Sequence, residues 1–220
     1  MNTRILCIET SAAVCSVAFF EGQACQKYIE EQEHNKHAEV LPVVVKNLMD
    51  TFGKPQAIAL NIGPGSYTGL RIGLSLAKGI CVALNIPLIT LTVEEVLAHQ
   101  LISNRTLQDC KYICVMIDAG RMEVYAALFD NKGREVEAIK PVIIDETFLT
   151  EYAGTKLLIG NGSIKCKPML GHSTDILFGN LTDFSAAYLG APAFDKFVTN
   201  NFADLAYCEP VYLKTIPLIK

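Results

Sequence analysis

Among the eight cysteines no two are spaced Cys-x-x-Cys, so a zinc ribbon or a dithiol redox site is excluded. Cys7, Cys15 and Cys114 sit in apolar strand patterns and are expected as buried thiols. Charge is scarce: 19% of residues are charged, with a net charge of −4. Lysine and arginine form no cluster, which argues against direct, strong nucleic-acid binding by this chain alone. No secretory signal is read at the start, because Glu9 interrupts the early apolar run and no cleavage pattern follows. The longest uncharged stretch, Gly79 to Val93, is short for a membrane span and contains Pro87. A cytoplasmic protein with no membrane association is expected. Half of the 220 residues are hydrophobic, enough for one large domain or two lobes.

The most informative stretch is present rather than missing. Residues 61–73 read NIGPGSYTGLRIG, a glycine-rich turn between a β-branched run and an apolar helical pattern. Glycines there bring backbone N–H groups close to a neighbour, and Ser66 or Thr68 is placed to cap the next helix. Such a turn suits an anion, so Thr10, Ser11, Gly65, Ser66 and Thr68 are candidates for nucleotide or anion contact. It equally suits tight packing with no ligand. Known phosphate signatures fail: no lysine stands where a Walker A loop needs it, and Thr68 occupies the third glycine position of a dinucleotide fingerprint.

Residues 68–85 carry only Arg71 and Lys78 as charges. A surface helix has one polar face; this one is apolar nearly all round and is expected to be covered on two sides. Gly69, Gly73 and Ala77 lie four apart, which would let a second helix approach. Leu41, Leu48, Gly69, Leu70, Gly73, Leu74 and Ala77 are therefore expected to line an interface with another subunit, with Arg71 and Lys78 able to meet acidic groups. Leu74→Glu is expected to weaken that assembly.

The chain reads as two copies of one pattern. Strands at 5–11, 13–20 and 24–29 return, shifted by 109 residues, at 113–120 and 122–129 with a third strand after the Asp130–Gly133 turn. The shift sets Ile8-Glu9 over Ile117-Asp118 and Phe20 over Phe129 without a gap. The first half continues with a helix from His37 to Phe52, a strand at 57–62, the long helix, a strand at 88–91, and a helix capped by Thr92 and Glu95 that runs to Ser103. The second half has a strand at 156–159, a turn at 160–162, a short helix at 182–189, and no long helix. Lobes of 1–107 and 108–220 are expected, α/β in class.

This duplicated order resembles the two-lobed actin-like ATPase (ASKHA) superfamily, with tandem βββαβα-type lobes, the second reduced. GPGSYTGLRIGLSLAKG at 63–79 is similar to the TsaB (YeaZ) family. ILCIETS, His37 with Leu41-Pro42, Ile86-Pro87-Leu88, Ile117-Asp118-Ala119 with Glu123-Val124-Tyr125, and Pro210-Val211-Tyr212-Leu213-Lys214 add to it. Glu9 stands where Asp is common, and Lys214 where Arg is frequent. The resemblance implies a part in making threonylcarbamoyladenosine in tRNA, next to the anticodon. It implies a non-catalytic scaffold for a TsaD-type transferase, pairing through helices at about 37–52 and 67–85. It also implies a TsaE-type ATPase as a further partner, a homodimer when alone, and tRNA held only indirectly. No catalytic residue, metal or cofactor of this chain's own follows, and ATP or ADP would be bound in the partner complex.

Two other functions compete. An independent phosphotransferase or ATPase needs acidic glycine turns in both lobes. Asp118-Ala119-Gly120 fits one, but Ser11 carries a side chain where the other needs glycine. A metal-dependent peptidase would use His34 and His37 with Glu33 or Glu39, yet H-E-x-x-H is absent, and a solvated helix entry with Asn35 or His37 as cap explains the same residues. His99 and His172 have no partner pattern.

Overall fold

Short apolar runs bounded by polar turns become strands, and the two longer 3.6-periodic runs become helices. The computed structural model describes residues 3–12, 14–31, 36–103, 110–182 and 184–213. It divides into two compact units, 1–93 with 184–211, and 94–183 with 212–220.

The first unit contains β1 (Arg4–Glu9), β2 (Cys15–Glu21), β3 (Ala24–Glu31), α1 (His37–Phe52), β4 (Ala57–Asn61), α2 (Tyr67–Leu84) and β5 (Leu88–Leu91). Its sheet has the order β3-β2-β1-β4-β5, antiparallel from β3 to β1 and parallel from β1 to β5. Both faces of β1 are buried, so its alternate residues enter different cores. Leu6 and Ile8 face the helices and meet Leu41, Val45 and Leu48 of α1 and Leu74, Ala77 and Cys81 of α2. Each such leucine contributes about 2 kcal/mol by leaving water. By length and composition α2 is apolar enough to cross a membrane, but Gly69, Leu70, Gly73, Leu74, Ala77 and Cys81 are buried in the unit.

The second unit contains α3 (Val93–Ser103, from Glu94 onward), β6 (Tyr112–Asp118), β7 (Glu123–Asp130), β8 (Glu135–Ile143), β9 (Lys156–Ile159), α4 (Asn161–Leu170) and β10 (Ile176–Phe178). Its sheet order, β8-β7-β6-β9-β10, repeats the first. Turns occupy residues 146–151, where the first unit has α1. The reduction is therefore the loss of α1's counterpart. The turn expected at 160–162 is corrected: it opens α4, a ten-residue helix that follows β9 and is shorter than α2.

Three further expectations change. The gapless repeat needs one inserted residue. Ile8 pairs with Val17, whereas the same core position in the second sheet is Met116 paired with Ala126, nine and ten residues apart. A strand buried on both faces conceals a one-residue slip, because either register looks apolar. The helix expected at 182–189 is a 3-10 turn at Ala186–Tyr188 followed by α5 (Gly190–Val198). Finally, the chain does not divide once at 107. Residues 184–211 return to the first unit: Gly190 abuts the Phe20 ring, Lys196 Nζ donates to Thr90 O, and Ala203 forms a bridge with Leu88.

Candidate functional site

The glycine-rich turn leaves β4 at Asn61 and enters α2 at Ser66, whose hydroxyl caps the helix by accepting from Gly69 N–H at 3.2 Å. The capping role expected of this segment thus falls to Ser66. The gap that the glycines open is filled by the chain itself. Ser66 N–H donates to Ser11 O at 2.7 Å. A Cβ on Gly65 would lie 2.4 Å from that same oxygen, and one on Gly69 would lie 2.1 Å from Thr10 O. Thr10 and Ser11 are buried. These two residues are thereby corrected as anion contacts: they form the wall against which Gly65 and Gly69 close. Gly65, Ser66 and Thr68 remain on the surface.

Gly69 and Gly73 are small for the same reason. A Cβ on Gly73 would lie 2.3 Å from Thr10 Oγ1 and 3.1 Å from a Leu60 methyl. The stripe admits the β1–β2 turn and β4, not a second helix. Leu41, Leu48, Leu70, Leu74 and Ala77 are each at most 7% exposed and lie in the unit's own core. Their assignment to an intermolecular surface is corrected, as is that of Gly69 and Gly73. The side of α2 that does meet solvent carries Arg71, Ser75, Gly79, Val82 and Ala83, with Lys78 half-buried. The Arg71 guanidinium lies 4.1 Å from the centre of the Tyr67 ring. On α1 the outer residues include Pro42, Val43, Lys46 and Asn47.

A buried polar knot ties the β1–β2 turn in place. Glu9, 1% exposed, accepts from Ser11 N–H at 2.5 Å and from the Asn61 amide. Asn61 also donates to Ser11 Oγ at 3.1 Å and accepts from Gly63 N–H at 2.9 Å. On the opposite side His37 Nε2 lies 3.2 Å from Ala12 O. The turn is held between the start of α1 and the glycine-rich turn before α2. Sequence reading took Glu9 as a break in the early apolar run and a family feature, and His37 as a family feature, a candidate metal ligand or a helix cap; it did not bring the two to one turn. Their structural task depends on which loops meet, and no local pattern reveals that.

Burial pushes the Glu9 carboxyl above its ordinary value. Donors from Ser11, Asn61 and Thr10 pull it part of the way back. Folded Glu9 holds its proton more tightly than unfolded Glu9, so its contribution is fully present below the ordinary value of 4.5 and is lost as pH rises through the folded value. Glu9→Gln removes this titration. We expect its stability relative to the parent chain to improve as pH rises from 4.5 and to level off once the folded value is passed, on top of a constant loss, read from urea midpoints. A pH-independent difference would refute a buried, titrating Glu9.

The second unit has a related turn. Asp118 accepts from Gly120 N–H at 2.8 Å and from Lys165 of α4, while Lys165 Nζ also donates to Glu123 O at 2.6 Å. Burial raises the Asp118 carboxyl, but the Lys165 and Gly120 hydrogen bonds and the Lys165 charge outweigh it and hold it below the usual range. An internal lysine meets the carboxylate that a metal-bound phosphate would need. As to metals, His37 is buried against Ala12, and Glu33, His34 and Asn35 lie outside the described residues. Lys36, with no side-chain cap, starts α1. Among the described residues no three His, Cys, Asp or Glu side chains are grouped to hold a metal. Cys7, Cys15 and Cys114 are buried free thiols.

Two α/β units with the same strand order, and a glycine-rich turn closed by its own chain, define the class of protein. A family model described as TsaD, tRNA N6-adenosine threonylcarbamoyltransferase, matches residues 27–209. "tRNA threonylcarbamoyladenosine biosynthesis protein TsaB" of Escherichia coli is 27% identical, over 96% of this chain and 94% of that protein. The protein of the same name from Buchnera aphidicola of Schizaphis graminum is 30% identical, over 76% and 82%. The solved structure of YeaZ from Pseudomonas aeruginosa, 22% identical, aligns with TM-score 0.77 over 96% of this chain and all of that chain, a likeness of fold. The chain belongs to the TsaB (YeaZ) family, within the wider family of the TsaD model.

Proposed function

We propose that this chain is a non-catalytic subunit of tRNA threonylcarbamoyladenosine synthesis that binds and activates a TsaD-type transferase in the cytoplasm. The observation that carries the proposal is the closed glycine-rich turn. A phosphate cradle needs free backbone N–H groups and room, whereas here Ser66 N–H is engaged by Ser11 O and Gly65 abuts the same atom. The Lys165–Asp118 pair gives the second turn the same character. The names carried by the relatives supply the pathway, and the family resemblance supplies the partner. The actin-like ancestry would then survive as a scaffold, with ATP or ADP bound in the partner complex and tRNA held by the partners.

The docking surface is the solvent side of α1 and α2. On α2, Val82, 71% exposed, stands among Ser75, Gly79 and Ala83, small residues that let an opposing helix come close, and α1 adds Val43, 57% exposed. Without the transferase, the same side would pair two copies of this chain. A TsaE-type ATPase would join the assembled pair.

The test is the solution mass of the chain mixed with the TsaD-type protein of the same organism, with each protein alone as control. A one-to-one complex is expected, lost in Val82→Glu, whose exposed position leaves folding intact. Absence of any complex at micromolar concentrations would refute the proposal. So would nucleotide hydrolysis by the chain alone, which would favour the phosphotransferase reading.

A further inference from the structure

We infer that the docking surface extends beyond the two helices to Tyr207, which acts as its aromatic anchor. The inference rests on the proposed function and names a contact that the helices alone do not provide. A stable interface buries about 800 Å² on each partner and draws most of its energy from a few aromatic or arginine residues. The solvent side of α2 carries one such group, the stacked Tyr67–Arg71 pair in its first two turns. From Ser75 to Ala83 it bears only small or aliphatic exposed side chains. They permit close approach but contribute little area.

The missing area stands beside the second half of the helix. Residues 203–208 lie against the same core: Ala203 bridges Leu88 of β5, and Ala203, Leu205 and Cys208 pack on the cluster to which α2 contributes Leu74, Ala77 and Cys81. The Lys78 charge is near enough to Cys208 to influence its thiol. The turn that presents Tyr207 is tied by hydrogen bonds to Asp204. Asp204 Oδ1 accepts from Ala206 N–H at 2.8 Å and from Tyr207 N–H at 3.3 Å, and Cys208 N–H donates to Asp204 O at 2.9 Å. On that turn Tyr207 is 82% exposed, the largest exposure among the described large hydrophobic residues. A tyrosine buries about 150–250 Å² when covered, near a quarter of what one side of an interface requires. It has few rotamers to lose, and its backbone is already ordered. Small residues at the centre with an aromatic at each end match an opposing helix that crosses α2 closely and offers apolar pockets at both flanks. The occupant is the TsaD-type subunit.

The experiment is calorimetric titration of the full chain with the TsaD-type protein, using the parent, Tyr207→Ala and Tyr207→Phe. Tyr207→Ala is expected to weaken binding at least tenfold and Tyr207→Phe by less than twofold, with all three melting together because the ring touches solvent. If the parent binds and Tyr207→Ala binds within twofold of it, this inference fails while the proposed function stands. If Tyr207→Ala changes only self-association of the chain, the anchor serves a second copy and the inference is overturned. If the parent does not bind, both readings fall.

Discussion

Gly69→Ala is expected to destabilise the isolated chain by about 3 kcal/mol, lowering its melting temperature by roughly 6–12 °C for a chain of this size. Helix propensity alone predicts the reverse, since alanine is favoured over glycine by about 1 kcal/mol. The sign is set by Thr10 O, which an added Cβ would approach to 2.1 Å. That oxygen cannot retreat cheaply. The next residue, Ser11, is bonded to Ser66 N–H through its carbonyl and to Glu9 through its own N–H, so moving the turn breaks the buried knot. Gly79 provides the control on the same helix. Nothing lies within 4 Å of its added Cβ, so Gly79→Ala is expected to stabilise by about 0.5–1 kcal/mol. Thermal melts of the two variants decide the matter. Two stabilised variants would mean that the glycine-rich turn does not close on the β1–β2 turn.

Residues 1–93 of the first unit were legible in the sequence almost to the residue. The strands there are apolar runs with turn residues at both ends, and α1 and α2 carry long periodic patterns, so each element announces itself locally. The second unit, and the segment 184–211 that returns to the first, were less so. α4 opens with Asn161-Gly162-Ser163 and holds Pro168, a composition that reads as a turn, and β10 is three residues long. α5 begins with Gly190-Ala191-Pro192, where glycine conceals the start and proline is tolerated only because it lies in the first turn. The candidate site was legible as a place and misread as a function. Glycines at 65, 69 and 73 declare that something comes close, but an anion, another subunit and the chain's own turn make the same demand on Cβ. The apolar α2 posed a similar ambiguity. An apolar side chain states that it leaves water, and not whether its cover comes from the same chain or from another.

That ambiguity makes Leu74→Glu a test of folding rather than of docking. Leu74 is 7% exposed within the cluster formed by Leu6, Ile8, Leu41 and Leu60. A carboxylate there would stand inside an apolar cluster. It must either remain charged without water or take up a proton against neutral pH. Either course, added to the lost leucine packing, is expected to cost about 4 kcal/mol or more, comparable with the lower end of the stability of an ordinary domain. The isolated variant should be largely unfolded at pH 7 by circular dichroism. It should recover structure toward pH 5, because protonation removes the buried charge and leaves only the packing defect. Val82→Glu, at a position of the same helix that is 71% exposed, should melt within about 0.5 kcal/mol of the parent. Loss of a partner complex by Leu74→Glu would therefore reflect loss of the fold, whereas its loss by Val82→Glu alone would locate the contact. A Leu74→Glu chain that melts like the parent would contradict the packing of α2 on its sheet and restore Leu74 to the interface.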